Sequence, residues 1–160
     1  MKRSSSIFGL ALVCLALAGS MLAQSTAFVG TWKLNAEKSK FPAGKAPKSF
    51  TRTVSADGET LTYKFEGVGA DGTAITYGFA SKLDGKEVEV TGNGMPYGAD
   101  HIAIKKVNSH ETSATLKKGD KGVGTSTATV SHDGKMLTIN SKGTDADGKS
   151  TKTVSVYDKQ

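Results

Sequence analysis

Cysteine is almost missing from this chain: the single Cys14 lies in an apolar stretch near the N-terminus, and none follows it. Disulfides and cysteine-ligated metals are thereby excluded from everything beyond that stretch. Arginine is nearly as scarce, because only Arg52 follows Arg3. Nucleic-acid binders favour clustered positive charge and bidentate arginine contacts, whereas the lysines here are scattered over turns and strand ends. No nucleic-acid partner is expected. Long apolar runs are also missing: the longest, Ile7 to Ala18, falls short of the about 20 residues that span a bilayer.

That run follows Lys2 and Arg3 and gives way to small residues reaching Ala23, then to Gln24 and Ser25. This is the pattern of a secretory signal peptide, residues 1–23, with cleavage after Ala23 or alternatively after Ser20. The expected product, residues 24–160, is secreted or periplasmic and long enough for one domain with one core. Removing Lys2 and Arg3 from the 21 basic side chains leaves 19 against 15 acidic ones, a mildly basic balance.

Glycine, threonine and serine are abundant, and β-branched or aromatic residues alternate with polar ones in runs of six to ten. Such alternation predicts strands. The pairs Asp57-Gly58, Asp71-Gly72, Asp84-Gly85, Asp133-Gly134 and Asp147-Gly148 supply the positive φ of tight turns, so each is expected to reverse the chain. The turns leave no room for crossover helices, which makes the sheet an antiparallel up-and-down meander. About ten strands are expected, near residues 28–35, 48–56, 59–66, 73–82, 86–91, 100–107, 110–118, 122–131, 135–142 and 149–158. The segment "AEKSKFPAGKAPK", Ala36 to Lys48, contains two prolines and permits at most a short helical turn.

A shift of 76 residues lays Val54, Ser55, Asp57, Gly58, Leu61, Thr62, Gly67, Ala70, Asp71 and Gly72 onto Val130, Ser131, Asp133, Gly134, Leu137, Thr138, Gly143, Ala146, Asp147 and Gly148. Duplication and convergence on the same turn chemistry both account for this repeat. The later copy includes "GTDADGKS", Gly143 to Ser150, which fits the phosphate-loop pattern G-x-x-x-x-G-K-[ST]. A phosphate loop must open a helix, but the residues after Ser150 are β-branched and the earlier copy, "GVGADGTA", has no lysine. The stretch is therefore read as a hairpin turn. His101, His110 and His132 share no metal-ligand spacing, and no metal or cofactor is expected.

Leu61, Tyr63 and Phe65 share one strand face, Ile75, Tyr77 and Phe79 another, while Thr62, Lys64 and Glu66 face the opposite way. A meander with one apolar face and no large helix to cover it removes its exposed edges by closing into a barrel. A transmembrane barrel would turn that face outward and add aromatic girdles, for which one tryptophan and charged polar faces are unsuited. The predicted fold is thus all-β: a soluble barrel with its apolar side inward.

Against this background the two ends become informative. "FVGTWKLN", Phe28 to Asn35, resembles the first strand of calycins, the lipocalin and fatty-acid-binding protein families, with Gly30 and Trp32 matching G-x-W at the closed end. "VSVYDKQ" resembles the last strand of fatty-acid-binding proteins, Tyr157 matching their tyrosine. The whole chain after the signal is similar to exported bacterial lipocalin-like proteins, through "GTWKLNAEKSKF", "LDGKEVEVTG" and "VSHDGKMLTI". The resemblance implies a closed barrel carrying a small molecule. It also has departures: no helical pair fits between the first two strands, Ser155 stands where fatty-acid-binding proteins place an arginine, and no arginine is available to cover Trp32.

The expected ligand-binding residues are Phe50, Arg52, Tyr63, Phe65, Tyr77 and Phe79 on the inner wall. Met95 and Tyr97, exposed in the loop "GNGMPYGAD", are expected at the portal. Arg52 shares an inward face with Phe50 and Val54 and offers an anchor for an anion, or else sits at the rim with its head in water. The expected function is non-enzymatic: an exported monomer binding a small hydrophobic or amphipathic molecule. The alternative is an envelope or extracellular interaction module whose filled barrel binds a protein or polysaccharide through its loops. Tyr97, Asp100 and His101 are the residues an active site would have to recruit.

Overall fold

The computed structural model describes residues 26–145 and 147–160. The signal-peptide assignment and Ala146 of the repeat lie outside the described residues. After a 3₁₀ turn, Thr26–Phe28, come eleven strands: β1 Gly30–Leu34, β2 Ser49–Asp57, β3 Thr60–Val68, β4 Ala74–Ser81, β5 Asp84–Glu89, β6 Thr91–Asn93, β7 His101–Lys106, β8 Glu111–Lys118, β9 Lys121–Val130, β10 Met136–Thr144 and β11 Ser150–Lys159. All pairings are antiparallel, in the order β5-β7-β8-β9-β10-β11-β1-β2-β3-β4-β6. The two ends of the chain meet in this sheet, with Trp32 opposite both Arg52 on β2 and Lys159 on β11. No described helix is long and apolar enough to cross a membrane.

The barrel is nearly closed, and one stretch of chain closes it. The sheet's edge strands β5 and β6 are consecutive in sequence; β5 pairs with β7, whereas β6 pairs with β4. The switch requires the backbone to approach β4 closely at Gly92, where φ is +98° and any side chain would meet the Thr76 carbonyl. A seam remains beside it, since Phe79, Ala80 and Ser81 pair with β3 but have no ladder partner on their other side. The turn preceding β5 differs from expectation. Asp84-Gly85 lies inside β5, at an irregularity of its ladder with β7, and Leu83, at φ +58°, makes the reversal with its N–H held by Ser81 Oγ.

The repeat is structural as well: β3 and β10 begin and end 76 residues apart. "GTDADGKS" ends β10 and leads into β11, as a hairpin whose Asp145 Oδ1 accepts the N–H groups of Asp147 and Lys149. Side chains fill one end of the barrel. Phe28, Trp32, Val54, Leu61, Tyr63, Val130 and Leu137 are each at most 2% exposed there, and the Trp32 indole N–H donates to the Phe28 carbonyl at 2.9 Å. Lys159 Nζ lies 5.0 Å from the centre of the Trp32 ring. A lysine thus covers the tryptophan for which no arginine was available.

Candidate functional site

Period-two alternation turns Phe50, Arg52 and Val54 of β2 inward, and all three are buried. Register then builds the wall: Arg52 faces Phe65, which faces Tyr77, while Val54 faces Tyr63, which faces Phe79. The cross-strand aromatics stack, Phe65 on Tyr77 at 4.3 Å and Tyr63 on Phe79 at 4.7 Å between ring centres. Gly67 opposite Phe50 leaves the room that the Phe50 ring occupies, 6.0 Å from that of Phe65.

Across the barrel β8 to β11 contribute the small Ala114, Ser126, Ala128, Ser141 and Ser155 between the larger Leu116, Ile139 and Tyr157, with Ile102 and Ile104 from β7 beside them. The difference in bulk between the two walls leaves a cavity of about 270 Å³ above the filled end. Phe50, Arg52, Phe65, Tyr77, Phe79, Met95 and Tyr97 all line it. Tyr63 does not; it lies one layer deeper and supports Arg52 from below, 5.0 Å from ring centre to Cζ, with the Phe65 ring at 5.5 Å. Residues at the mouth that the alternation did not single out are Phe41, Lys45 and Pro47, from the β1–β2 connection. Their signal was a phenylalanine between the lysines of a segment with no other large apolar side chain.

Arg52 is 6% exposed and makes no ion pair among the described residues, and its Nε has no hydrogen-bond partner. No aspartate or glutamate lines the cavity, whereas Lys45 does. The phenols around Arg52 do not supply the missing negative charge. Burial raises Tyr63, Tyr77 and Tyr157 above the usual tyrosine value, Tyr157 to about 12; the charge of Arg52 opposes that rise, as does the hydrogen bond that Arg52 donates to the Tyr63 hydroxyl. At neutral pH all three are therefore uncharged donors and acceptors. Cation–π contact contributes about 2 kcal/mol or more in a desolvated setting, against several kcal/mol for burying a charge. The floor of the cavity is positive and under-satisfied.

Met95 and Tyr97, expected as exposed, are half-buried and turned into the mouth, because their loop folds back across the opening. Tyr97 adopts φ +61°, a left-handed conformation that costs a non-glycine residue roughly 1–2 kcal/mol. Its ring lies over Gly124 and Gly143, and its phenol faces Thr151 and Thr153. Asp100 instead accepts hydrogen bonds from His101 Nδ1 and the Gly119 N–H, each at 2.8 Å. Tyr97, Asp100 and His101 are thus not assembled into one constellation. His110 and His132 approach to 5.4 Å between ring centres, but no three metal-ligating side chains converge among the described residues.

No family model matches the chain, and no curated protein matches it. Solved structures do. The zebrafish ileal bile acid-binding protein complexed with cholic acid is 16% identical, with a TM-score of 0.51 over 84% of this chain and 99% of that one. A redesigned β-barrel bound to DFHBI is 15% identical, with a TM-score of 0.47 over 86% and 99% of the two chains. Lobster apocrustacyanin A1 is 14% identical, with a TM-score of 0.44 over 84% of this chain and 62% of that one. At these identities the likeness concerns the fold alone: an antiparallel barrel of calycin type.

Proposed function

We propose that this protein is an exported, non-enzymatic carrier, holding inside its barrel one small amphipathic molecule with an apolar body and an anionic head. One observation carries the reading: a buried guanidinium without a carboxylate sits at the floor of a cavity whose upper wall is aromatic. An anion there would supply what the chain withholds. Phe50, Phe65, Tyr77 and Phe79 would hold the body, Arg52 on its Tyr63 support the head, and Met95 and Tyr97 the entrance.

The cavity limits the guest. At about 10–15 Å³ of accessible space per water-sized group, its volume holds roughly 20 non-hydrogen groups, enough for a ten-carbon amphiphile. Burying about nine methylenes contributes ~7 kcal/mol, association costs at least about 4, and hydrogen bonds to a charged group add about 1.5–3. The balance corresponds to a Kd of roughly 100 micromolar.

The test is fluorescence titration of the purified chain, without its signal segment, with 1-anilinonaphthalene-8-sulfonate, followed by displacement with decanoate. Saturable binding reversed by decanoate is expected. A dye that does not bind, in a protein that circular dichroism shows to be folded, would sink the carrier reading. Export is tested separately: the N-terminus of the protein recovered outside the cytoplasm should be Gln24 or Met21.

A further inference from the structure

The connection between β6 and β7 crosses the mouth of the barrel, yet almost nothing in its backbone holds it there. Among the described residues, the N–H groups of Gly98 and Ala99 bond to Met95 and Pro96 within the loop itself, and the first tie to the barrel beyond the tip is Asp100 N–H to the Lys117 carbonyl. The attachment is through side chains: Met95 packs against the core, and Tyr97 lies on the far wall. Gly124 and Gly143 are direct register partners on β9 and β10, and a Cβ built on either would lie 2.7 Å or 2.8 Å from the Tyr97 ring. Two strands thus omit their side chains at the same height, and the ring lies in the slot they leave, its phenol facing the hydroxyl-bearing Thr151 and Thr153 of β11.

The ends of the loop suit a moving part. Gly94 and Gly98 have φ of +90° and +65°, Pro96 stiffens the tip between them, and Tyr97 itself is held left-handed. A backbone outlier at a cavity mouth, kept in place by its ring in a made-to-measure slot and by Met95 packed on the core beside it, is strain that detachment would release.

We propose that Tyr97 is a latch: the segment from Gly94 to Gly98 swings on its glycines, lifting the ring from the Gly124–Gly143 slot to admit the guest and reseating it to enclose that guest. The role as a gate rests on the carrier reading above, whereas the motion of the latch does not. A latch contributes to entry and exit alike, so it changes rates more than affinity.

Two measurements separate these ideas. Stopped-flow mixing with 1-anilinonaphthalene-8-sulfonate should show association accelerated at least ~10-fold in Tyr97→Ala, the factor that about 1.4 kcal/mol represents, and dissociation accelerated by at least as much. Tyr97→Phe, which keeps the ring and loses the phenol contacts to Thr151 and Thr153, should fall between wild type and Tyr97→Ala. Faster dissociation with unchanged association would make Tyr97 a piece of wall and overturn the latch; so would unchanged rates. In the ligand-free wild type, NMR relaxation dispersion should show microsecond-to-millisecond exchange confined to residues 94–99. Flat profiles there would overturn the latch while leaving dye binding, and hence the carrier reading, intact. Exchange in a protein that binds no dye would do the reverse.

Discussion

Arg52 shows most directly what a residue's identity conveys and what its surroundings add. Alternation with Phe50 and Val54 placed it inward; the absence of any carboxylate beside it became visible only once eleven strands had been assembled around it. Because it is buried without a carboxylate partner, Arg52→Met should leave the melting temperature unchanged or raise it, an outcome a stabilising ion pair would not give. The same variant should lose at least ~10-fold in decanoate affinity, about 1.5–3 kcal/mol, while decanol binding stays as it was. Displacement titrations with the acid and the alcohol check both statements. Trp32 is the contrasting case, fully buried at the filled end with its N–H satisfied. Trp32→Ala should cost about 3–5 kcal/mol, measured by urea unfolding, and G-x-W was the signal that marked it.

The strands were legible because their causes are local. Each bound of β1 to β4 and β7 to β11 lies within two residues of the alternation-based expectation, and the inward set followed from period two. The β4–β5 turn was misplaced for a reason of another kind. Asp-Gly satisfies a bulge as well as a hairpin, and its place inside β5 depends on β7, a strand that follows later. Strand β6 was missed since three residues with a glycine at their centre carry no alternation to read. The resulting seam predicts uneven protection: in hydrogen exchange read by mass spectrometry, peptides covering residues 79–93 should exchange before those covering β2, β3, β10 and β11. Of the latter, β3 and β10 are paired on both sides along most of their length, and β2 and β11 along nearly all of one side and part of the other. Equal protection throughout would mean that the seam is closed in solution.

Taken as one body, the barrel confines its carboxylates to the outside and its tyrosines to the inside, and its stability should follow pH accordingly. Asp71, Asp84, Asp100, Asp133 and Asp158 are all held below their ordinary 3.8 by hydrogen bonds, chiefly from backbone or side-chain donors beside them. Their stabilisation is present above 3.8 and is lost as pH falls through the folded-state values. His101 is raised above 6.5 by its hydrogen bond to Asp100, so its contribution is present below 6.5 and is lost as pH rises through the folded value. Tyr63, Tyr77 and Tyr157 are raised above 10.0 by burial, Tyr157 to about 12. Folding is favoured below pH 10.0 by these phenols, and that contribution disappears as pH climbs toward the folded values. Thermal unfolding followed by circular dichroism should therefore give a melting temperature that drops below pH 3.8, dips slightly above 6.5 and falls steeply beyond 10.0. Tyrosinate absorbance beyond that of Tyr97, developing at pH 10.0 in protein still folded, would contradict the burial of these phenols.

By itself the order of residues determined an all-β antiparallel meander, its strand faces and nearly all its turns, because alternation and Asp-Gly chemistry act over neighbours a few residues apart. It also placed the aromatic wall, since inward positions on adjacent strands pair automatically once the hairpins form. Only the tertiary structure decided how the ring closes at Gly92, that Tyr63 sits beneath the cavity instead of on its wall, that Arg52 meets no carboxylate, and that Tyr97 finds a slot made by Gly124 and Gly143. Each of these depends on the height at which segments distant in the chain meet around the barrel, a quantity set by register and closure and carried by no single stretch of sequence.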